Sequence, residues 1–159
     1  MDTKIKAPGF TYKVICLDKN GNIKWGDTFS NLVTTEGKNK LLSTGFDADT
    51  QITTWYLGLK EAGTPVIADT LASHGSWTEN TGYTGNRQAI VFGTASAASL
   101  AGGELSFAIT GSATIAGALI ASVATGTAGT LYSVGDFSGG SKVVAASDTL
   151  KVTPTLSFS

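Results

Sequence analysis

A run of uncharged residues from 105 to 135 dominates the second half of this 159-residue chain. The run is built from Gly, Ala, Ser, Thr and β-branched residues rather than from Leu. Around it, residues 91–159 carry only five charged side chains, which are Glu104, Asp136, Lys142, Asp148 and Lys151. Catalysis needs several titratable groups brought together, so this half of the chain is expected to pack rather than to react. Small side chains let backbones approach closely, which predicts sheets stacked on other sheets or on neighbouring subunits.

An uncharged run of this length also satisfies the requirement for a transmembrane helix, which is about 20 residues. Polar and small residues dilute its hydrophobicity, however, and the Gly-Thr-Ala-Gly sequence at 126–129 is typical of a turn. A membrane span is therefore disfavoured. The formal net charge of -1 provides no basic surface for nucleic acid or for an anionic membrane. Neither is expected as a partner.

Alternation of apolar and polar residues predicts a series of short strands. Residues 10–17 alternate in this way, Asn20-Gly21 is typical of a tight hairpin turn, and Ile23 begins the return strand. Further strands are predicted at 52–60, 87–95, 104–110, 113–123, 130–134, 141–146 and 150–158. Pro154, in the last of these, cannot donate a backbone hydrogen bond, which predicts a position at the edge of a sheet.

The spacing of the strands predicts an all-β fold, an antiparallel β-sandwich of the jelly-roll kind. One short helix is expected within residues 31–45, where helix start signals precede a closing glycine. A chain of this length fits one domain. We therefore predict a single sandwich over residues 10–159, preceded by an extended N-terminal arm at residues 1–9. The polar connection from 69 to 86 is predicted to be a specialised loop, with one helical turn at 70–73.

Side chains that perform catalysis or bind metal are sparse. His74 is the single histidine and Cys16 the single cysteine, so no internal disulfide can form and a triad or metal site would depend on one residue. Ser73 and Asp69 lie near His74 in sequence, but no G-x-S-x-G turn accompanies them. His74 is expected to hydrogen-bond within its own connection, and Cys16 to be a small buried hydrophobe. We predict that the protein is not an enzyme and that it binds no cofactor and no metal.

Two segments are candidates for contact with a partner. The N-terminal arm carries Lys4, Lys6 and Pro8 before any strand pattern begins. Such an arm either frays or becomes ordered by adding to the sheet edge of a partner. The long connection carries Trp77 and Tyr83, and exposed aromatic side chains concentrate binding energy at interfaces. These five residues form the predicted interface.

Four segments in order carry a family resemblance: LDKNGNIKWGDTFSNLVTTEGKNKLL, TTWYLGL, DTLASHGSWTE and GTLYSVGDFSGGSKVVAASDTLKVT. Together, across residues 11–155, they resemble the capsid decoration (cement) proteins of tailed bacteriophages, which are small structural proteins of the virion. The resemblance implies a protein made in the host cytoplasm and carried on the capsid surface. Its implied partners are the major capsid protein and further copies of itself, as a dimer or trimer. The resemblance implies no catalytic residue.

A second function remains open. Related sandwich domains also serve in phage tails, so the alternative is a tail-associated domain that binds a receptor or a glycan. Trp77 and Tyr83 would then offer flat aromatic faces for sugar stacking. A hydrolase centred on His74 lacks the partner residues that its chemistry would need.

Overall fold

The computed structural model describes residues 6–158 and places them in thirteen strands and one helix. The elements in chain order are β1 (Gly9–Leu17), β2 (Ile23–Ser30), β3 (Leu32–Val33), α1 (Thr35–Phe46), β4 (Tyr56–Gly63), β5 (Trp77–Asn80), β6 (Gln88–Ala89), β7 (Ser99–Ala101), β8 (Leu105–Ala108), β9 (Ala113–Ile115), β10 (Gly117–Ala121), β11 (Leu131–Asp136), β12 (Lys142–Val144) and β13 (Thr149–Ser157). The prediction of an all-β protein with one short helix is confirmed.

The strands form two main antiparallel sheets that pack against each other. Sheet A has the order β2-β1-β13, and both β7 and β8 pair with the far side of β13. Sheet B has the order β3-β11-β10-β4, and both β5 and β6 pair with the far side of β4. A two-stranded ribbon of β9 and β12 completes the described fold. The predicted sandwich architecture is therefore present.

The hairpin between β1 and β2 follows the sequence closely. Gly21 has a φ of 83°, a left-handed conformation that glycine adopts without steric cost. Its N–H donates to the Asp18 carbonyl oxygen at 2.9 Å, while the Asp18 carboxylate accepts from the Asn20 N–H at 2.8 Å. The turn thus stabilises itself through side-chain and backbone hydrogen bonds, and the hairpin prediction is confirmed.

The main core lies between the sheets and is rich in aromatic rings. Every second residue of β1 faces it, including Phe10, Tyr12 and the buried Cys16. The ring of Tyr12 stacks on Phe29 of β2 with centroids 4.7 Å apart, and Phe10 meets Tyr132 of sheet B edge to face at 5.9 Å. The predicted burial of the cysteine is confirmed, since its thiol packs inside this core.

The uncharged run owes its composition to the centre of sheet B. All five residues of β10 and five of the six residues of β11 are buried. One face of these strands joins the main core, and a second apolar cluster, where Leu71 and Trp77 meet Leu119 and Leu131, covers the other face. A strand that is covered on both faces has no position where a charge would be solvated. Within residues 6–158, no helix has the length and apolar character needed to cross a bilayer.

The predicted edge position of Pro154 is wrong, because β13 lies inside sheet A between β1 and the β7–β8 side. The Pro154 carbonyl oxygen accepts from the Gly102 N–H at 2.9 Å, so the backbone N and O of Pro154 face the β7–β8 side. Pairing on that side stops at Val152 and resumes at Thr155. The missing N–H therefore falls at the gap between two short partner strands, where no ladder bond is lost.

The helix is held at its start by sheet B. The side chain of the N-cap residue Thr34 accepts from the Gly37 N–H at 3.0 Å and donates to the Leu131 carbonyl oxygen at 2.6 Å. The Glu36 carboxylate accepts from the backbone N–H groups of Leu131 and Leu71, at 2.7 and 3.0 Å. One acidic side chain thus joins the helix, β11 and the segment that precedes β5.

The predicted helical turn at 70–73 is wrong. The N–H of Thr70 donates to the Ser73 carbonyl oxygen at 3.0 Å, and the N–H of Ser73 donates back to Thr70 at 3.2 Å. These reciprocal bonds close a tight turn that cannot continue as a helix. The predicted loop from 69 to 86 also contains β5, which pairs with β4 and extends sheet B.

Candidate partner-binding surface

The N-terminal segment is bound to the domain more firmly than an arm would be. Lys4 lies outside the described residues, and Lys6 is exposed. Pro8 is buried, and its carbonyl oxygen accepts from the Tyr132 hydroxyl at 2.5 Å. Strand β1 begins at Gly9, within the range predicted as arm. Pro8 therefore acts as a structural residue, and only the residues before it remain candidates for an arm.

The two aromatic residues of the predicted interface are buried, so the expectation of exposed rings is wrong. Trp77 is 4% exposed, and its indole N–H donates to an Asp69 carboxylate oxygen at 2.9 Å. Tyr83 is 6% exposed and packs edge to face on Phe107 with centroids 4.9 Å apart. Burial, with a smaller contribution from nearby Glu79, raises the pKa of Tyr83 to about 12. Both rings close the core instead of facing a partner, so an interface in this region would depend on their exposed neighbours.

His74 lies on the outer side of Trp77 and has a structural role. Its ring stacks on the indole at 3.9 Å, and its Nδ1 lies 3.2 Å from the Trp77 carbonyl oxygen. The nearby Asp69 carboxylate accepts from Trp77 and from the Val66 N–H rather than from His74. The prediction that His74 hydrogen-bonds within its own connection is confirmed. No group of three His, Cys, Asp or Glu side chains within residues 6–158 is placed to hold a metal ion.

The α1 ridge, which we define as Leu42 and Phe46, is an exposed apolar surface that the sequence patterns did not reveal. Leu42 is 58% exposed and Phe46 is 90% exposed. The two residues are four positions apart, so they lie on the same face of the helix. The sequence did contain a signal for this exposed surface. Leu41 and Leu42 are adjacent and point about 100° apart on a helix, so both cannot face the same core.

Ten charged side chains within residues 6–158 form five ion pairs. Arg87 donates to both carboxylate oxygens of Glu79, at 2.7 and 2.6 Å, and to the carbonyl oxygens of Val123 and Gly126, at 2.9 and 3.0 Å. These contacts fix the loop between β10 and β11 to the rest of sheet B. The arrangement satisfies a buried guanidinium and leaves it no role toward a partner.

A second buried cation, Lys60, spans three acceptors. Its side chain is fully buried, and its amine donates to an Asp136 carboxylate oxygen at 2.6 Å and to the carbonyl oxygens of Glu61 and Gly63, at 2.9 and 2.6 Å. Three acceptors match the three protons of an ammonium group. Lys60 is thus a structural cation of sheet B.

Phe46 of the α1 ridge is the most exposed large apolar side chain within residues 6–158. No family model, curated protein or solved structure matches this chain. The exposed chemistry of the domain and the resemblance within its sequence are therefore the grounds for a functional proposal.

Acidification should weaken the domain through Asp148. Burial alone would raise the pKa of this carboxyl, but hydrogen bonds from the Lys24 amine at 2.5 Å and the Ala145 N–H at 2.8 Å hold it below its usual value. A carboxyl with a lowered pKa in the folded state stabilises the fold above the unfolded-state pKa, which is about 3.9, and this contribution is lost as the pH falls through the folded-state pKa. The difference in Tm between the native protein and Asp148→Asn should be largest at neutral pH and should shrink as the pH approaches 3. A difference that is constant with pH would contradict this role.

Proposed function

We propose that this chain is a capsid decoration (cement) protein of a tailed bacteriophage. In this role it binds the major capsid protein on the outer surface of the expanded shell and associates with further copies of itself. The observation that carries the proposal is the α1 ridge, because exposed apolar surface on a soluble domain marks an interaction site. The sequence resemblance supplies the class of partner.

The architecture suits a mechanical role. Sheet B is covered on both faces, and the main core joins it to sheet A. Arg87 and Lys60 hold neighbouring segments together through ion pairs inside the domain. A domain of this kind adds contacts across capsomer boundaries and shares the internal pressure of packaged DNA over a larger interface. Permanent interfaces are more apolar than transient ones, and the α1 ridge has this chemistry.

The tail-associated alternative has less support. A glycan platform needs exposed flat rings, whereas Trp77 and Tyr83 are buried. The decoration role needs no such platform, so it is the function that we propose.

Removal of the ridge should abolish shell binding. We expect the double variant Leu42→Asp/Phe46→Asp to bind at least tenfold more weakly to expanded, DNA-free shells of the phage that encodes the chain, because two carboxylates would be buried at an apolar interface. Co-sedimentation of the purified protein with the shells measures this loss. The matched control is Ile23→Asp, which changes an apolar residue of similar exposure on β2.

Undiminished binding of the double variant would exclude α1 as the interface, and absence of binding by the native protein would overturn the decoration role.

A third variant examines the residues that remain candidates for the arm. Deletion of residues 1–6 leaves the hydrogen bond between Pro8 and Tyr132 in place, so a loss of shell binding without a loss of Tm would assign the arm to the interface.

A further inference from the structure

An apolar pocket opens between α1 and the end of the sandwich where β1 and β13 pair. It has a volume of about 150 Å³. Phe10 and Tyr132 form its buried floor, and Trp55 and Phe92 form half-buried walls. Leu41 and Lys40 line the pocket from α1. The pocket is thus a mostly apolar site with the polar side chains of Lys40, Thr44 and Gln51 in its lining, as expected of a small-molecule site.

Four aromatic rings give the pocket its shape. The ring of Tyr132 meets Phe10 at 87° and Trp55 at 63°, with centroids 5.9 and 5.5 Å apart, and Phe92 lies 6.1 Å from Phe10. The rings therefore pack against one another in edge-to-face and tilted arrangements. Aromatic groups prefer edge-to-face and offset arrangements, so an additional ring would find favourable partners here.

The size of the pocket limits what it can accept. An apolar cavity of about 150 Å³ holds a single benzene-sized molecule. The pocket is too small for a nucleotide or a disaccharide. It is large enough for one six-membered ring with a short substituent.

The charge of the lining argues against a cation. Lys40 alone is charged among the described residues that line the pocket. Its amine forms an ion pair with Asp49 at 2.6 Å, so the Asp49 carboxylate is already engaged. Aromatic sites for quaternary ammonium groups gain from a cation facing the rings, but here a second cation would lie beside Lys40.

We infer that this pocket binds an uncharged group the size of one aromatic ring. The inference does not depend on the proposed function. Such a ring could belong to a free small molecule or to an aromatic side chain of a bound protein, because both present the same apolar face to the pocket.

Ligand-observed NMR with toluene and with N-acetyl-phenylalanine amide tests the inference and separates the two sources. Leu41→Trp should fill the pocket and weaken toluene binding at least tenfold. Ile23→Trp is the control, because Ile23 is an exposed apolar residue of β2 that neither lines the pocket nor belongs to the α1 ridge. If Leu41→Trp fails to fold, Thr44→Phe provides a second way to fill the same space from α1.

Toluene binding that is lost in Leu41→Trp and kept in Ile23→Trp would support the site. Competition by N-acetyl-phenylalanine amide would show that the pocket also admits a phenylalanine side chain with its backbone, as a partner's ring would require, and failure to compete would restrict the occupant to a free ligand. Absence of toluene binding by the native protein would overturn the inference. Equal toluene binding by both variants would also overturn the inference. Tighter binding of tetramethylammonium than of toluene would overturn it as well.

Discussion

Glu79→Gln is expected to lower the free energy of unfolding by about 3–5 kcal/mol, the cost of leaving a buried charge without its partner. The side chains of Arg87 and Glu79 are only 5% and 17% exposed. Because the guanidinium donates to both carboxylate oxygens, the amide would replace one acceptor with a donor and remove the negative charge. Chemical denaturation of the native and variant proteins measures the difference.

The same substitution should also loosen the loop between β10 and β11. Arg87 holds this loop through the carbonyl oxygens of Val123 and Gly126. An arginine without its carboxylate is expected to move toward water and release them. Hydrogen exchange of the amides at 123–129 should therefore become faster, whereas exchange in β1 should change only with global stability.

Glu104→Gln provides the matched control for this prediction. Glu104 pairs with Lys151 at 2.9 Å, but both side chains are largely exposed. Exposed pairs of this kind contribute about 0–1 kcal/mol. A loss at Glu79 no larger than the loss at Glu104 would show that the Arg87 pair has no special structural role.

Gly37→Ala is expected to destabilise the protein, although alanine is the better helix former. A Cβ at this position would lie 2.7 Å from the Tyr132 Cα and closer still to its carbonyl oxygen, all of them backbone atoms of a buried strand. The helix would have to move away from β11, and overpacking of this kind costs about 1–3 kcal/mol or more. Thermal and chemical unfolding both report the loss.

Gly45→Ala in the same helix should have the opposite sign. A Cβ at Gly45 meets no atom within 4 Å, so the substitution gains only helix propensity, up to about 1 kcal/mol. The pair separates contact with β11 from the intrinsic effect of glycine. Stabilisation by both substitutions would place α1 farther from sheet B than the structure does.

The strand pattern was readable from the sequence wherever one face of a strand meets the core and the other meets water. β1 alternates Phe10, Tyr12 and Val14 with polar residues, and the Asn-Gly turn follows directly. The helix was also readable, because the Thr34 side chain caps it locally by accepting from the Gly37 N–H three residues later. These elements depend on neighbours within a few residues, which a single sequence contains.

Features that depend on distant neighbours were not readable. Period-2 alternation reports which face a side chain occupies but not which strand lies beside it, so the central position of Pro154 was missed. Trp77 and Tyr83 lie in a polar stretch, yet sheet B needs large rings to cover its second face and close the core beside β8. The pocket escaped prediction because its rings come from four separate segments of the chain.

The pairing of β1 with β13 has a consequence for synthesis of the protein. The partners nearest in sequence, Leu17 and Thr149, are 132 positions apart. Sheet A therefore cannot close until β13 has left the ribosome, and closing so long a loop slows folding. Until then the edge of β1 that pairs with β13 is open, and β10 and β11 expose apolar faces. Slow refolding of the intact chain, and aggregation of chains truncated before residue 149, would follow from this topology.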